Sequence, residues 1–138
     1  MTYCIGEAMS TKPVSVHPDD TLVKVAMIMR ENDVGSVLVK NNGDLCGIVT
    51  EWDFVHKVAA KELNVAETYV RDIMAKDLLT ISPRMDVFDA IRLMKDADVR
   101  HLPVIESGKL VGYITMKDIL RIQPELFEIL SEKFDMQL

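Results

Sequence analysis

Gly47-Ile48-Val49-Thr50-Glu51-Trp52-Asp53 returns 65 positions later as Gly112-Tyr113-Ile114-Thr115-Met116-Lys117-Asp118. Each string reads as the end of a strand followed by Thr-x-x-Asp at the start of a helix. Working outward at the same offset, the correspondence runs without an insertion from Met9/Met74 to Val55/Leu120. Identical pairs outside the string are Met9/Met74, Pro18/Pro83, Met29/Met94, Asp33/Asp98, Val34/Val99, Val39/Val104, Gly43/Gly108 and Leu45/Leu110. Only two copies are present, whereas an open solenoid needs roughly three or more. The pattern therefore implies a pseudo-symmetric pair that closes on itself.

Within the first copy, Pro13-Val14-Ser15-Val16 reads as a short extended segment and His17-Pro18-Asp19-Asp20 as a turn. Asp20 or Thr21 can cap a helix whose face is Leu22, Val25, Ala26 and Met29, at i, i+3, i+4 and i+7. Asn32-Asp33 ends that helix. Ser36-Val37-Leu38-Val39 and Leu45-Cys46-Gly47-Ile48-Val49 form a hairpin around Asn42-Gly43, and a second helix runs from Thr50 to about Lys61. The second copy repeats the order with Leu79-Thr80-Ile81 extended and Val87, Ala90, Ile91 and Met94 as the helical stripe. Its hairpin closes around Ser107-Gly108, and its last helix starts at Thr115. The fold class is α/β (α+β), built as β-α-β-β-α twice, with the two copies sharing a core. The expected boundaries are 5–62 for the first copy, 70–122 for the second and 123–138 for a C-terminal helix or tail. On that tail Leu126, Phe127, Leu130 and Phe134 form an apolar stripe, suited to packing on its own domain or to a dimer or partner contact.

The chain has 138 residues, 49% of them hydrophobic and 28% charged, which is the composition of a globular protein. Each half, at roughly 60 residues, is marginal alone. No apolar run reaches the roughly 18 residues of a membrane-spanning helix, and the N-terminus lacks the basic and apolar regions of a signal peptide. These features favour the cytoplasm and no membrane partner. A net charge of −6 argues against broad nucleic-acid binding but leaves room for a small anion held by local positive charge. Cys4 and Cys46 have no second ligand at metal spacing, so they read as reduced thiols, with Cys46 a small buried hydrophobe and no zinc site implied.

Thr-x-x-Asp at a helix start supports two readings. One is capping: a Thr N-cap with an acid three residues on resembles a capping box, worth about 1 kcal/mol per helix. The other is a ligand site, in which the helix start and Thr hydroxyl meet an anion while the Asp accepts hydrogen bonds from a ribose diol. The string alone does not choose between them. Trp52 reads as a packing residue, Met29 and Met94 as core, and His17 and His56 receive no role. There is no Gly-rich phosphate loop, His-Glu-x-x-His or nucleophile elbow, so the sequence offers no enzyme constellation.

The doubled Gly-h-h-Thr-x-x-Asp resembles a tandem pair of cystathionine-β-synthase (CBS) domains. Val99-Arg100-His101-Leu102-Pro103-Val104 before the second hairpin and Val70-Arg71-Asp72-Ile73-Met74 before the second copy fit the same family, as does the weaker Ile5-Gly6-Glu7-Ala8-Met9. The resemblance covers Ile5 to about Ile122. It implies two β-α-β-β-α units packed about a pseudo-two-fold axis, with two clefts that bind adenosine derivatives such as AMP, ADP, ATP or S-adenosylmethionine. It also implies a regulatory module with no required cofactor, commonly a homodimer, that acts on a separate regulated protein. Carried over by residue, Asp53 and Asp118 hold ribose hydroxyls, and Thr50 and Thr115 contact phosphate or ribose. Lys12, Pro13 and Val14, and Leu78 and Leu79 with Asp77, border the adenine pockets. Arg100 and His101 match phosphate-contacting positions; their counterparts Gly35 and Ser36 carry no charge. The expectation is therefore one good phosphate site, with Arg100 and His101 near the ligand of Asp53, and a weaker site at Asp118 helped by Lys117 or Arg121. The alternative is a structural dimerisation and interaction module without a physiological ligand.

Overall fold

The computed structural model describes residues 3–126 and 128. In chain order the elements are α1 (Ile5–Ala8), β1 (Ser15–Val16), α2 (Leu22–Asn32), β2 (Ser36–Asn41), β3 (Asp44–Thr50) and α3 (Glu51–Asp53). α3 runs into a π-helical stretch, Phe54–Ala59, and a 3-10 turn covers Val70–Asp72. Then come α4 (Val87–Ala97), β4 (His101–Glu106), β5 (Lys109–Thr115), α5 (Met116–Ile122) and a 3-10 turn at Pro124–Leu126. Mixed small sheets and helices, given twice, are the architecture that the repeat implies.

The compact units are cut differently from the repeat. One unit is Pro13–Leu78; the other joins the chain up to Lys12 with the chain from Leu79 onward. In Pro13–Leu78, the turn and strand of the first copy bind the segment that leads into the second. The Leu22 N–H donates to Thr68 O at 2.9 Å, Val70 N–H to Asp20 O at 2.9 Å, and Ile48 and Ala75 exchange both backbone bonds at 3.0 and 2.9 Å. In the other unit the residues 65 positions away repeat this. Val87 N–H donates to Tyr3 O at 2.9 Å, Ile5 N–H to Met85 O at 2.8 Å, and Tyr113 and Ser10 exchange bonds at 2.9 and 2.8 Å. Each unit thus contains the body of one copy and the leader of the other.

The body of Pro13–Leu78 is a three-stranded sheet in the order β1-β2-β3, with β1 parallel to β2 and β2 antiparallel to β3. Its core gathers Val16, Leu22, Val25, Met29, Val37, Val39, Val49, Val58, Val70 and Ile73. The hairpin turn places Asn42 and Gly43 at φ 52° and 86°, and Ser107 and Gly108 repeat it at 51° and 78°. Two central residues with positive φ are what a two-residue hairpin of matching twist requires. Thr21 and Asp86 occupy the equivalent N-caps, accepting from Lys24 N–H and Phe88 N–H. Asp33 and Asp98 end the two helices in the left-handed region, at φ 51° and 55°, where Asp is tolerated and the chain can turn away.

Some expectations need correction. Ala26, placed on the buried stripe, is exposed, whereas its counterpart Ile91 is buried. Trp52, read as a packing residue, is 58% exposed and stacks on His56 at 4.1 Å. Cys46 is half-buried. Leu79-Thr80-Ile81 makes no strand, only a parallel bridge between Ile81 and Val104, so the second body has a two-stranded sheet, β4-β5. The cause is a proline. In the first copy the Leu38 N–H donates to Val14 O at 3.1 Å. Position 103, equivalent to 38, is Pro and has no N–H to offer Leu79. Leu126 is buried in the core of its unit; Phe127, Leu130 and Phe134 lie outside the described residues.

Candidate functional site

Both Thr-x-x-Asp corners are formed by the last residue of a hairpin strand and the first turn that follows. β3 delivers Thr50 in extended conformation (φ −128°), and β5 delivers Thr115 likewise (φ −119°). Thr50 N–H donates to Asp53 Oδ2 at 2.9 Å, and Asp53 N–H donates back to Thr50 Oγ1 at 3.4 Å. In the second copy the distances are 2.9 Å and 3.3 Å. The capping reading is thus realised in both copies. It employs one carboxylate oxygen, Oδ2, and leaves Oδ1 for other partners.

Those partners differ. Asp53 is 5% exposed, and its Oδ1 lies 3.0 Å from Lys57 Nζ. The same ammonium donates to Ile73 O at 3.1 Å. Asp118 is half-buried, and its Oδ1 lies 3.4 Å from Arg121, a side chain that is 76% exposed. Sequence reading passed over Lys57. Its signal was available: Lys57 stands four residues after Asp53, the spacing at which a helix brings opposite charges together.

The strand register places the remaining candidates. Ser36 pairs with Thr50 across β2/β3, and His101 with Thr115 across β4/β5. Gly35 O accepts from Glu51 N–H, and Arg100 O from Met116 N–H, each at 3.0 Å. Hence Arg100 and His101 stand beside the Thr115/Asp118 corner within one unit, and Gly35 and Ser36 beside Thr50/Asp53 in the other. Arg100 is exposed; His101 is half-buried, its ring tilted against Tyr113 at 6.0 Å. Lys12 is exposed, Pro13, Val14 and Leu78 are half-buried and Leu79 is 38% exposed. The boundaries between the compact units fall after Lys12 and after Leu78, inside these two segments. His17 and His56 do have partners. His17 Nδ1 accepts from Asp19 N–H at 3.1 Å, and His56 Nδ1 faces Trp52 O at 3.0 Å. Among the described residues there is no cluster of three His, Cys, Asp or Glu side chains suited to a metal, and no helix long and apolar enough to cross a membrane.

The profile of the CBS domain matches residues 5–60 and again 70–125. The chain belongs to the CBS domain family. It is a tandem CBS pair, and among its relatives is protein MK0525 of Methanopyrus kandleri, 38% identical over 94% of this chain and 67% of that one. CBS-domain protein YhcV of Bacillus subtilis is 29% identical over 83% of this chain and 81% of its own. The crystal structure of the CBS domain protein NE2398 superposes with a TM-score of 0.83 at 26% identity, covering 88% of this chain and 98% of that one. The CBS pair of protein MJ0100, solved with 5′-methylthioadenosine and S-adenosyl-L-methionine, superposes at 0.78 with 22% identity, covering 87% and 98%.

Proposed function

We propose that this CBS pair is a regulatory module and not a catalyst. It binds an adenosine nucleotide or derivative (AMP, ADP, ATP or S-adenosylmethionine) through its Thr-x-x-Asp corners and passes the binding event to a partner protein. The observation that carries this reading is the twice-built carboxylate. A backbone N–H holds Oδ2 in each copy at 2.9 Å, which pre-orients an acceptor of the kind a ribose diol uses. Thr50 and Thr115 supply hydroxyls at the same corners, and Arg100 supplies positive charge and His101 a ring nitrogen for phosphate. Lys12-Pro13-Val14 and Leu78-Leu79 border the base, and Ser36 lines the first corner. MJ0100 motivates the choice of adenosine ligands to try; its likeness to this chain carries the fold, and the named side chains carry the ligand.

A ligand that favours one arrangement of the pair over another shifts the population between them, and this is how binding becomes a signal. The homodimer is part of the proposal. Val23 and Phe88, equivalent positions on α2 and α4, are 40% and 36% exposed, and Met27 is 46% exposed. An exposed apolar residue at this one equivalent position of both helices, with Met27 beside it on α2, suits a symmetric contact. One observation favours a second reading: each capping box is complete without a ligand, as a purely structural dimerisation module needs.

Thermal melts with AMP, ADP, ATP and S-adenosylmethionine separate the two. Saturable stabilisation is expected with at least one ligand, about 2.7 kcal/mol at a hundredfold excess over its Kd. If all four leave Tm unmoved, the structural module is the reading that stands.

A further inference from the structure

We infer that Lys57 makes the two corners unequal: it occupies Asp53 from within its own unit and leaves Asp118 as the carboxylate that takes the ribose diol. The inference rests on the adenosine reading above and specifies which of the two sites serves it.

At Asp53 both oxygens are engaged. Oδ2 holds the Thr50 cap at 2.9 Å, and Oδ1 holds Lys57 at 3.0 Å. Lys57 is itself tethered, because its ammonium also donates to Ile73 O at 3.1 Å and only a third of the side chain is exposed. A diol approaching Oδ1 must displace a partly desolvated, doubly held cation, and breaking such a pair leaves charges without compensation. Among the described residues the cation beside Asp118 Oδ1 is Arg121, 3.4 Å away and 76% exposed. An exposed pair of this kind holds little energy, and the guanidinium can swing into solvent or toward a phosphate. The asymmetry is written in the chain. The counterpart of Lys57 is Ile122, and the counterpart of Arg121 is His56, which is stacked on Trp52.

Charge around the corners points the same way. Glu51 stands next to Thr50 with its carboxylate alongside Gly35: a Cβ on Gly35 would lie 3.4 Å from Glu51 Cδ. The equivalent of Glu51 is Met116, and the second corner adds the charges of Arg100 and Lys117. With Lys57 and Arg121 counted, the first corner keeps an excess of negative side chains and the second an excess of positive ones, so a phosphorylated ligand is favoured at the second. This reverses the ranking suggested by the sequence, which favoured Asp53.

Isothermal titration of the full chain with AMP, ATP and S-adenosylmethionine tests it. The parent protein is expected to take one equivalent per chain of a probe that binds. Asp118→Asn should weaken that binding about tenfold or more. Lys57→Met should add a second equivalent, and Lys57→Met with Asp53→Asn should lose the gained one. Two equivalents in the parent, or no gain from Lys57→Met while a probe still binds, overturns the inference alone. No binding by any probe to any variant overturns the adenosine reading as well. Thermal melts of the same variants supply a readout without ligand. Lys57→Met should lower Tm when Asp53 is present and not when it is Asn; equal shifts in both backgrounds show that Lys57 does not hold Asp53.

Discussion

Gly47 and Gly112 explain several of the repeat's identities at once. A Cβ at Gly47 would lie 2.7 Å from Met74 Sδ and 2.8 Å from Ala75 O; one at Gly112 would lie 2.9 Å from Met9 Cγ and from Ser10 O. The Gly47/Gly112 and Met9/Met74 identities are therefore two halves of one contact, repeated. Gly47→Ala is expected to cost about 1–3 kcal/mol by overpacking, read as a lowered urea midpoint. Adding Met74→Ala should recover only part of it, since the Ala75 carbonyl stays in place. Asp20 gives a second prediction. Burial raises its pKa, but the His17 N–H and the Lys24 ammonium together outweigh burial and hold the carboxyl below its ordinary value. A depressed folded-state value stabilises above the unfolded pKa of about 3.9 and loses that contribution as pH falls through the folded value. Asp20→Asn should accordingly melt below the parent at neutral pH, with the gap closing as the solution is made strongly acid.

Elements were legible where local chemistry alone decides them. Asn42-Gly43 and Ser107-Gly108 specify their turns, and Thr50 and Thr115 specify their helix starts, because the partners are within three residues. Ala26 shows the limit. It sits at the edge of the apolar face, and whether an edge residue is buried depends on what packs over it, which periodicity does not contain. Pro103 is the converse case, where one residue removes an element. Its missing N–H leaves Leu79 without the bond that Val14 receives, and the parallel strand shrinks to a bridge. Leu38→Pro should carry that loss into the first copy. The expected cost is about 1–3 kcal/mol from the orphaned Val14 carbonyl, with the lost packing of the buried Leu38 side chain in addition, read as a lowered urea midpoint.

The two bodies and their leaders set the logic of the whole molecule. Ile5 precedes the first copy in sequence but is fully buried in the core that contains Val87, Ile91, Met94 and Ile114. Ile5→Ala should cost about 2–5 kcal/mol. Its effect on hydrogen exchange should concentrate in residues 79–122 and spare the hairpin at 36–50. Protection lost first from 36–50 would show that the leader belongs to the copy it precedes.

The repeat, the positions of its helices and hairpins, the two Thr-x-x-Asp strings and the family were legible in the residues alone, since each rests on residues near one another along the chain or on a fixed offset. Which leader joins which body is set by folding alone. Pro18/Pro83 and Gly47/Gly112 are identical, so each body offers a leader the same surface, and no local preference distinguishes own from other. Folding also decides that Asp53 and Asp118, identical in their motifs and caps, differ beyond them. A carboxylate's second oxygen is available or occupied according to the cations that folding brings to it, and here folding brings Lys57, anchored on Ile73 O, to only one of the two.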